Sequence, residues 1–106
     1  MSSILFDQGV PVPLRKYIQN DNVSTLYELG WSTIENGELI TKAESMGFDV
    51  FVTTDKNLRY QQNLIGRQIA IAVLPTTNWP KLQKHIDQIV KEIKGIAVGG
   101  FIEVSF

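Results

Sequence analysis

The sequence predicts an α/β fold, a three-layer sandwich built on a mainly parallel sheet of five strands. Short apolar segments alternate with segments of helical spacing, in the order β-α-β-α-β-α-β-α-β, which favours a parallel sheet with helices on both faces. The segment at residues 69–74 is a continuous apolar run, typical of a strand covered on both faces. The chain of 106 residues has the length of one domain, so we expect a single domain over residues 1–106.

The first half of the chain contains two predicted strands and two predicted helices. The first strand covers residues 4–6, and a helix follows in which Pro13 occupies the first turn. Residues 23–29 form the second predicted strand, because Val23, Thr25 and Tyr27 alternate with other side chains. We expect Asn36 to be the N-cap of a helix over residues 37–46.

The second half contributes three strands and two helices. β-Branched residues predict a strand over residues 50–54, and a short helix is expected over residues 58–64. After the run at 69–74, a helix over residues 78–95 is predicted from one apolar stripe. The stripe consists of Leu82, Ile86, Ile89, Val90 and Ile93. Alternation over residues 101–106 predicts an edge strand.

The composition limits the possible functions. The chain contains no cysteine, which excludes disulfides, thiol catalysis and cysteine-based zinc sites. Its formal net charge is -1, so a nucleic-acid partner would be bound through a local surface and not through bulk positive charge. No apolar run approaches the ~20 residues of a membrane span, and no signal peptide is evident. We therefore expect a cytoplasmic protein with no membrane partner.

Two aspartates that follow predicted strands are the leading candidates for a functional site. Asp7 follows the first strand and Asp55 follows the third. In open α/β sheets, ligands bind beyond the carboxyl ends of the strands, near the point where the strand order reverses. If these two strands are neighbours, the carboxylates converge, and a divalent cation such as Mg²⁺ or Mn²⁺ would offset their repulsion. Glu38, near the start of a helix, could approach the same crevice.

Each of these acids also has an ordinary structural interpretation. An aspartate after a strand is a common turn or cap residue, which applies to Asp7 and Asp55 alike. Glu38 in a first helical turn interacts favourably with the helix dipole. A nearby group of basic and aromatic side chains could contact a phosphate backbone and a base, or could belong to a solvated loop. This group consists of Lys56, Arg59, Tyr60 and Arg67.

Four segments, in this order, resemble a bacterial group of small PIN-like proteins. They are Ile4-Leu5-Phe6-Asp7, Glu28-Leu29-Gly30-Trp31, Asn36-Gly37-Glu38-Leu39 and the run from Asp49 to Leu58. The resemblance spans about residues 4–75. It implies a Rossmann-like sheet, an acidic cluster that holds Mg²⁺ or Mn²⁺, and cleavage of RNA by a metal-activated water. It also implies a toxin of a toxin–antitoxin pair, with an antitoxin-like protein as partner and a homodimer as assembly.

The resemblance assigns roles to individual residues. It implies that the catalytic and metal-binding residues are Asp7, Glu38 and Asp55. Substrate contacts are expected at Asn36, Asn57, Lys56 and Arg59. Many relatives carry an acid where this chain has Gln8, Asn36 and Asn57. Because an amide oxygen brings no negative charge, we expect weaker metal binding than in a fully acidic site.

Two alternatives to a ribonuclease remain open. A catalytically inactive PIN-like module that binds a partner protein would account for the missing acids and the near-neutral charge. A phospho-receiver-like domain also places acids after its first and third strands. However, Asp7 is followed by Gln8 and not by a second acid, and Pro75 follows the late strand where such domains need a lysine. The segment ending at Phe106, together with Trp79, is a candidate surface for a homodimer.

Overall fold

The computed structural model describes residues 2–18, 21–58 and 66–106, apart from the Asn36 side chain, and contains one five-stranded sheet. All four strand pairs are parallel, and the order across the sheet is β2-β1-β3-β4-β5. The strands are β1 (Ser3–Phe6), β2 (Asn22–Thr25), β3 (Val50–Thr53), β4 (Ala70–Val73) and β5 (Phe101–Glu103). The predicted α/β class with a parallel sheet is therefore confirmed.

Helices cover both faces of this sheet. They are a 3₁₀ helix (Val12–Tyr17) and the α-helices α1 (Leu26–Leu29), α2 (Asn36–Ser45), α3 (Trp79–Gln83) and α4 (Ile86–Gly95). In the described ranges, no helix is long and apolar enough to cross a membrane.

The strands bury side chains on both faces, which makes the three layers. Ile4 and Phe6 of β1 point to a core completed by the 3₁₀ helix, α3 and α4. The helical contributors to that core include Leu14, Leu82, Ile89 and Ile93. Leu5, between them in sequence, belongs to a second core formed with α1 and α2. Because alternate residues of one strand enter opposite cores, the arrangement is a three-layer sandwich of the Rossmann-like kind.

The second predicted strand is wrong beyond Thr25, because a helical turn begins there. The Thr25 hydroxyl accepts a hydrogen bond from the Glu28 N–H at 3.2 Å, and the Glu28 carboxylate accepts one from the Thr25 N–H at 3.0 Å. This reciprocal capping box starts α1. Gly30 ends it in the left-handed conformation, with φ of 72°. Local capping thus outweighs the alternating pattern of residues 23–29.

Three further boundaries differ from the predictions. Glu35, and not Asn36, is the N-cap of α2, and its side chain makes no capping bond. The predicted helix over residues 78–95 is two helices, because the His85 N–H bonds to the Leu82 carbonyl in a tight turn that ends α3. The strand over residues 101–106 stops at Glu103, opposite Val73 where β4 ends, and the last bond between the two runs from the Val104 N–H to the Val73 carbonyl.

Other expectations agree with the fold or fall outside the described residues. The strand predicted over residues 101–106 is an edge strand, as expected. The helix predicted over residues 58–64 lies outside the described residues, apart from Leu58.

Candidate functional site

The candidate site lies at the carboxyl edge of the sheet, where β1 and β3 end side by side. The two strands are paired with Phe6 opposite Val52, so the residues that follow them emerge at the same edge. The chain runs from β1 outward to β2 on one side, and through β3, β4 and β5 on the other. The strand order therefore reverses between β1 and β3, the position where open α/β sheets bind ligands.

One hydroxyl group joins the two predicted aspartates. The Thr53 side chain is fully buried at the end of β3. Its Oγ1 donates a hydrogen bond to Asp7 Oδ2 at 2.7 Å and accepts one from the Asp55 backbone N–H at 3.1 Å. The strands that carry Asp7 and Asp55 are therefore neighbours, and Thr53, which the sequence did not reveal, binds the Asp7 carboxylate and the Asp55 main chain. Convergence of the two carboxylates on one cation stays a prediction.

Both aspartates also stabilise the turns in which they lie. Asp7 Oδ1 accepts a hydrogen bond from the Gln8 N–H at 2.8 Å, and Asp55 Oδ1 accepts one from the Asn57 N–H at 2.9 Å. Both aspartates therefore have the turn-stabilising role that the sequence analysis gave as their structural interpretation. It does not exclude a ligand, because a carboxylate oxygen that accepts one hydrogen bond can still bind a cation with its remaining lone pair. Asp7 meets this condition, since Oδ1 accepts from Gln8 and Oδ2 from Thr53.

Three loops come together around Gly9. A Cβ atom at this position would overlap Thr54 Oγ1, which lies in the loop after β3. The same position is 3.4 Å from the methyl group of Thr77, in the loop after β4. Any larger residue at position 9 would force Thr54 to move, and Gly9 is therefore the point at which the loops after β1, β3 and β4 come into contact.

The structure does not bring Glu38 into a three-acid group with Asp7 and Asp55. Within residues 2–18, 21–58 and 66–106, no three histidine, aspartate or glutamate side chains are grouped so that they could hold a metal ion. Glu38 is exposed on α2 and lines a shallow groove with Ile34 and Lys42. Its catalytic role stays a prediction from the resemblance.

The predicted substrate contacts are placed only in part. Lys56 and Asn57 are exposed in the turn that follows Asp55. Asn36 is the first residue of α2, and Arg59 lies outside the described residues. Lys56 and Asn57 are therefore the predicted contacts that lie beside the aspartate pair.

Glu28 belongs to one of the four segments that resemble PIN-like proteins, and its side chain has a structural role. Its carboxylate binds the Arg15 guanidinium through two bonds of 2.8 and 3.0 Å. This contact, together with the hydrogen bond from the Thr25 N–H, lowers the pKa of Glu28 below its ordinary value of 4.5. Glu28 thus links α1 to the 3₁₀ helix and caps α1.

Comparison of the chain with protein families, with curated proteins and with solved structures finds no match. A functional class for the protein must therefore be proposed from the geometry of the candidate site. One alternative loses support from the fold itself. The late strand β4 ends at Val73 and is followed by Leu74 and Pro75, so it lacks the lysine that a phospho-receiver-like site would need there.

Proposed function

We propose that this chain is a metal-dependent ribonuclease of the PIN-like type, with Asp7 and Asp55 as the ligands of Mg²⁺ or Mn²⁺. One observation carries the proposal. The two aspartates follow neighbouring parallel strands at the point where strand order reverses, and the buried Thr53 hydroxyl connects them. The segment resemblance to PIN-like nucleases supports the same chemistry.

The oxygen donors at this edge suit a hard divalent cation. Mg²⁺ is commonly held by one or two protein carboxylates, with water and substrate phosphates completing its shell, so two aspartates are sufficient. Zinc sites are usually built from cysteine and histidine, and the chain has no cysteine and one histidine. When bound, such an ion supplies positive charge that stabilises a phosphate oxygen and lowers the pKa of a coordinated water.

The protein groups around the pair have defined tasks in this proposal. The Thr53 hydroxyl and the Gln8 N–H fix the two oxygens of Asp7, so that the carboxylate is oriented before any ligand arrives. Lys56 is exposed in the turn beyond Asp55, where its ammonium group can pair with a backbone phosphate. Asn36, Asn57 and Arg59 are proposed to contact the substrate, and Glu38 to complete the catalytic set.

A second candidate is a catalytically inactive PIN-like module that binds a partner protein. It is favoured by the finding that, among the described residues, no three acids or histidines are grouped so that they could hold a metal ion. An antitoxin-like protein would be the partner in that case. The toxin role, the homodimer and the cytoplasmic location are predictions from the sequence under either candidate. For a homodimer, Trp79 offers less surface than the sequence suggested, because it is partly buried against the core.

Cleavage of RNA in the presence of Mn²⁺ tests the proposal. We expect Asp7→Asn and Asp55→Asn each to lower the cleavage rate by about 100-fold or more, since each removes a charge from the cation site. Asp49→Asn is the matched control, because Asp49 is exposed at the opposite edge of the sheet, and it should cleave at the wild-type rate. Equal RNA cleavage rates for all three variants would contradict the assignment of Asp7 and Asp55 as catalytic metal ligands. Wild-type protein with neither cleavage nor Mn²⁺ binding would favour the interaction module.

A further inference from the structure

A pair of neighbouring aromatic rings lies on the layer formed by the 3₁₀ helix and α3. The centroids of Tyr17 and Trp79 are 6.1 Å apart, with the ring planes tilted by 40°. Trp79 is partly buried against the core, whereas Tyr17 is 43% exposed. A ring held from one side by a second aromatic ring, and open to solvent on the other, is suited to stacking on a planar ligand.

Three lysines lie on or directly after the same two helices as this pair, and Tyr17, Trp79, Lys16, Lys81 and Lys84 are together called the Tyr17 surface. Tyr17 and Lys84 line one open depression, which is completed by Gln83, His85, Ile86, Asp87 and Gln88. Residues 12–17 and 79–88 contain four basic residues, three lysines and one arginine, and a single acid. The whole chain, in contrast, has a net charge of -1. Glu28 pairs with one of these cations, Arg15. The other three, Lys16, Lys81 and Lys84, are exposed.

The Tyr17 surface is connected to the aspartate pair by a short, well-held segment. Thr77 packs against Gly9, which is two residues beyond Asp7. Trp79 is two residues beyond Thr77, and consecutive Cα atoms are about 3.8 Å apart. The Asn78 side chain accepts a hydrogen bond from the Lys81 N–H at 3.1 Å, and the Asn78 N–H donates to Thr76 Oγ1 at 3.1 Å. Trp79 is thus held by hydrogen bonds two residues beyond the contact between Thr77 and the loop that carries Asp7.

We propose that the Tyr17 surface binds single-stranded RNA, with a base stacked on Tyr17 and the adjoining phosphates paired with Lys84 and its neighbouring lysines. Exposed aromatic rings beside lysines are the usual means of binding single strands, because every base offers a face for stacking. The charge of the surface selects a polyanion over an apolar partner. The inference rests on the proposed function in one respect. We take the RNA strand bound at the Tyr17 surface to be the strand that is cleaved at Asp7 and Asp55.

Fluorescence anisotropy with end-labelled oligoadenylate, in the presence of a chelator that removes divalent cations, measures this binding without cleavage. We expect Tyr17→Leu to raise the Kd by roughly 5- to 150-fold, since it removes the ring and keeps an apolar side chain. Tyr17→Phe keeps the ring and should bind as the wild type does. Tyr27→Leu is the matched control, because Tyr27 is 85% exposed on α1, outside the Tyr17 surface.

Salt dependence separates phosphate contacts from other effects. For Lys84→Ala we expect the slope of log Kd against log salt to fall by about 0.7 for the phosphate contact that is lost. An unchanged Kd for Tyr17→Leu, or wild-type protein that binds no oligoadenylate, would overturn the inference. Weaker self-association of Tyr17→Leu with intact RNA binding would overturn it as well. Because binding is measured without metal, failure of Asp7→Asn to affect cleavage overturns the nuclease and leaves this inference standing.

Discussion

The two edges of the sheet use carboxylates in opposite ways. At the amino edge, the side chains of Asp21, Asp49 and Glu44 accept hydrogen bonds from backbone N–H groups where strands begin. The donors are Ser2 to Asp21, Ser3 to Asp49, and Gln68 with Ile69 to Glu44, at distances of 2.6 to 3.2 Å. These acids satisfy donors that the ladder leaves unpaired, so their positions are accounted for by the fold.

At the carboxyl edge, Asp7 and Asp55 accept hydrogen bonds from N–H groups of their own turns, at Gln8 and Asn57, and not from the first residues of a strand. Asp7 takes its hydrogen bonds from its own turn and from the Thr53 hydroxyl. Each oxygen of Asp7 accepts one hydrogen bond and keeps a lone pair with which it can bind a cation. The contrast explains why only one edge is proposed as the functional site.

The largest effect on stability is expected where the loops of the carboxyl edge are packed most closely. Gly9→Ala places a methyl group onto Thr54 Oγ1, and we expect it to lower the free energy of unfolding by about 1–3 kcal/mol. Gly95→Ala at the end of α4 is the control, because an added Cβ there meets no atom within 4 Å. Urea denaturation measures both. Equal stability of the two variants would mean that the three loops are not packed as described.

A somewhat smaller effect is expected at Thr53. Thr53→Val keeps the shape of the side chain but removes the hydroxyl, which leaves the Asp55 N–H and one oxygen of Asp7 without that partner. We expect a loss of about 1–2 kcal/mol in the free energy of unfolding, together with weaker Mn²⁺ binding. Thr53→Ser retains the hydroxyl and should retain Mn²⁺ affinity. If the two variants bind Mn²⁺ equally well, Thr53 does not position Asp7.

The smallest effect is expected at the amino edge and depends on pH. The N–H groups of Ile69 and Gln68, with a contribution from Arg67, hold the pKa of Glu44 below its ordinary value of 4.5. Its stabilisation is therefore complete above that value and is lost as the pH falls through the lowered pKa of the folded state. Glu44→Gln should cost about 1 kcal/mol at neutral pH.

The same variant has a defined signature in acid. Its deficit relative to the wild type should shrink as the pH falls below 4.5 and should vanish once Glu44 is protonated in the folded protein. Glu35→Gln is the control, because the Glu35 side chain makes no capping bond, and it should match the stability of the wild type at neutral pH. A deficit for Glu44→Gln that is constant across the acid range would contradict the assigned role.

The strands that the sequence predicts best are those with continuous apolar runs. The predicted ends of β1, β3 and β4 lie within one residue of the observed ends, because burial on both faces leaves no other environment for such runs. The alternation at Val23, Thr25 and Tyr27 misled the prediction of β2. The spacing of Thr25 and Glu28 carries the capping-box signal that could have corrected it.

The positions of the two aspartates at strand ends could be predicted from the sequence, whereas the contacts between their loops could not. Asp7 and Asp55 were recognisable because each ends an apolar segment. The adjacency of β1 and β3, and the hydrogen bond between Thr53 and Asp7, depend on residues 46 positions apart in sequence. Such contacts arise from strand order, which local patterns do not encode. Glu38 was placed in the site by its position near the start of a helix and by the resemblance, and the fold leaves it exposed on α2.

The most direct test of the central claim is a calorimetric titration of Mn²⁺ into the protein. We expect binding to the wild type that is weakened at least about tenfold by Asp7→Asn and by Asp55→Asn, since each removes a charged ligand. Asp49→Asn, which removes a carboxylate from the amino edge, should bind as the wild type does. Equal Mn²⁺ affinity in all four proteins, or no binding to the wild type, would contradict the assignment of the carboxyl edge as a cation site.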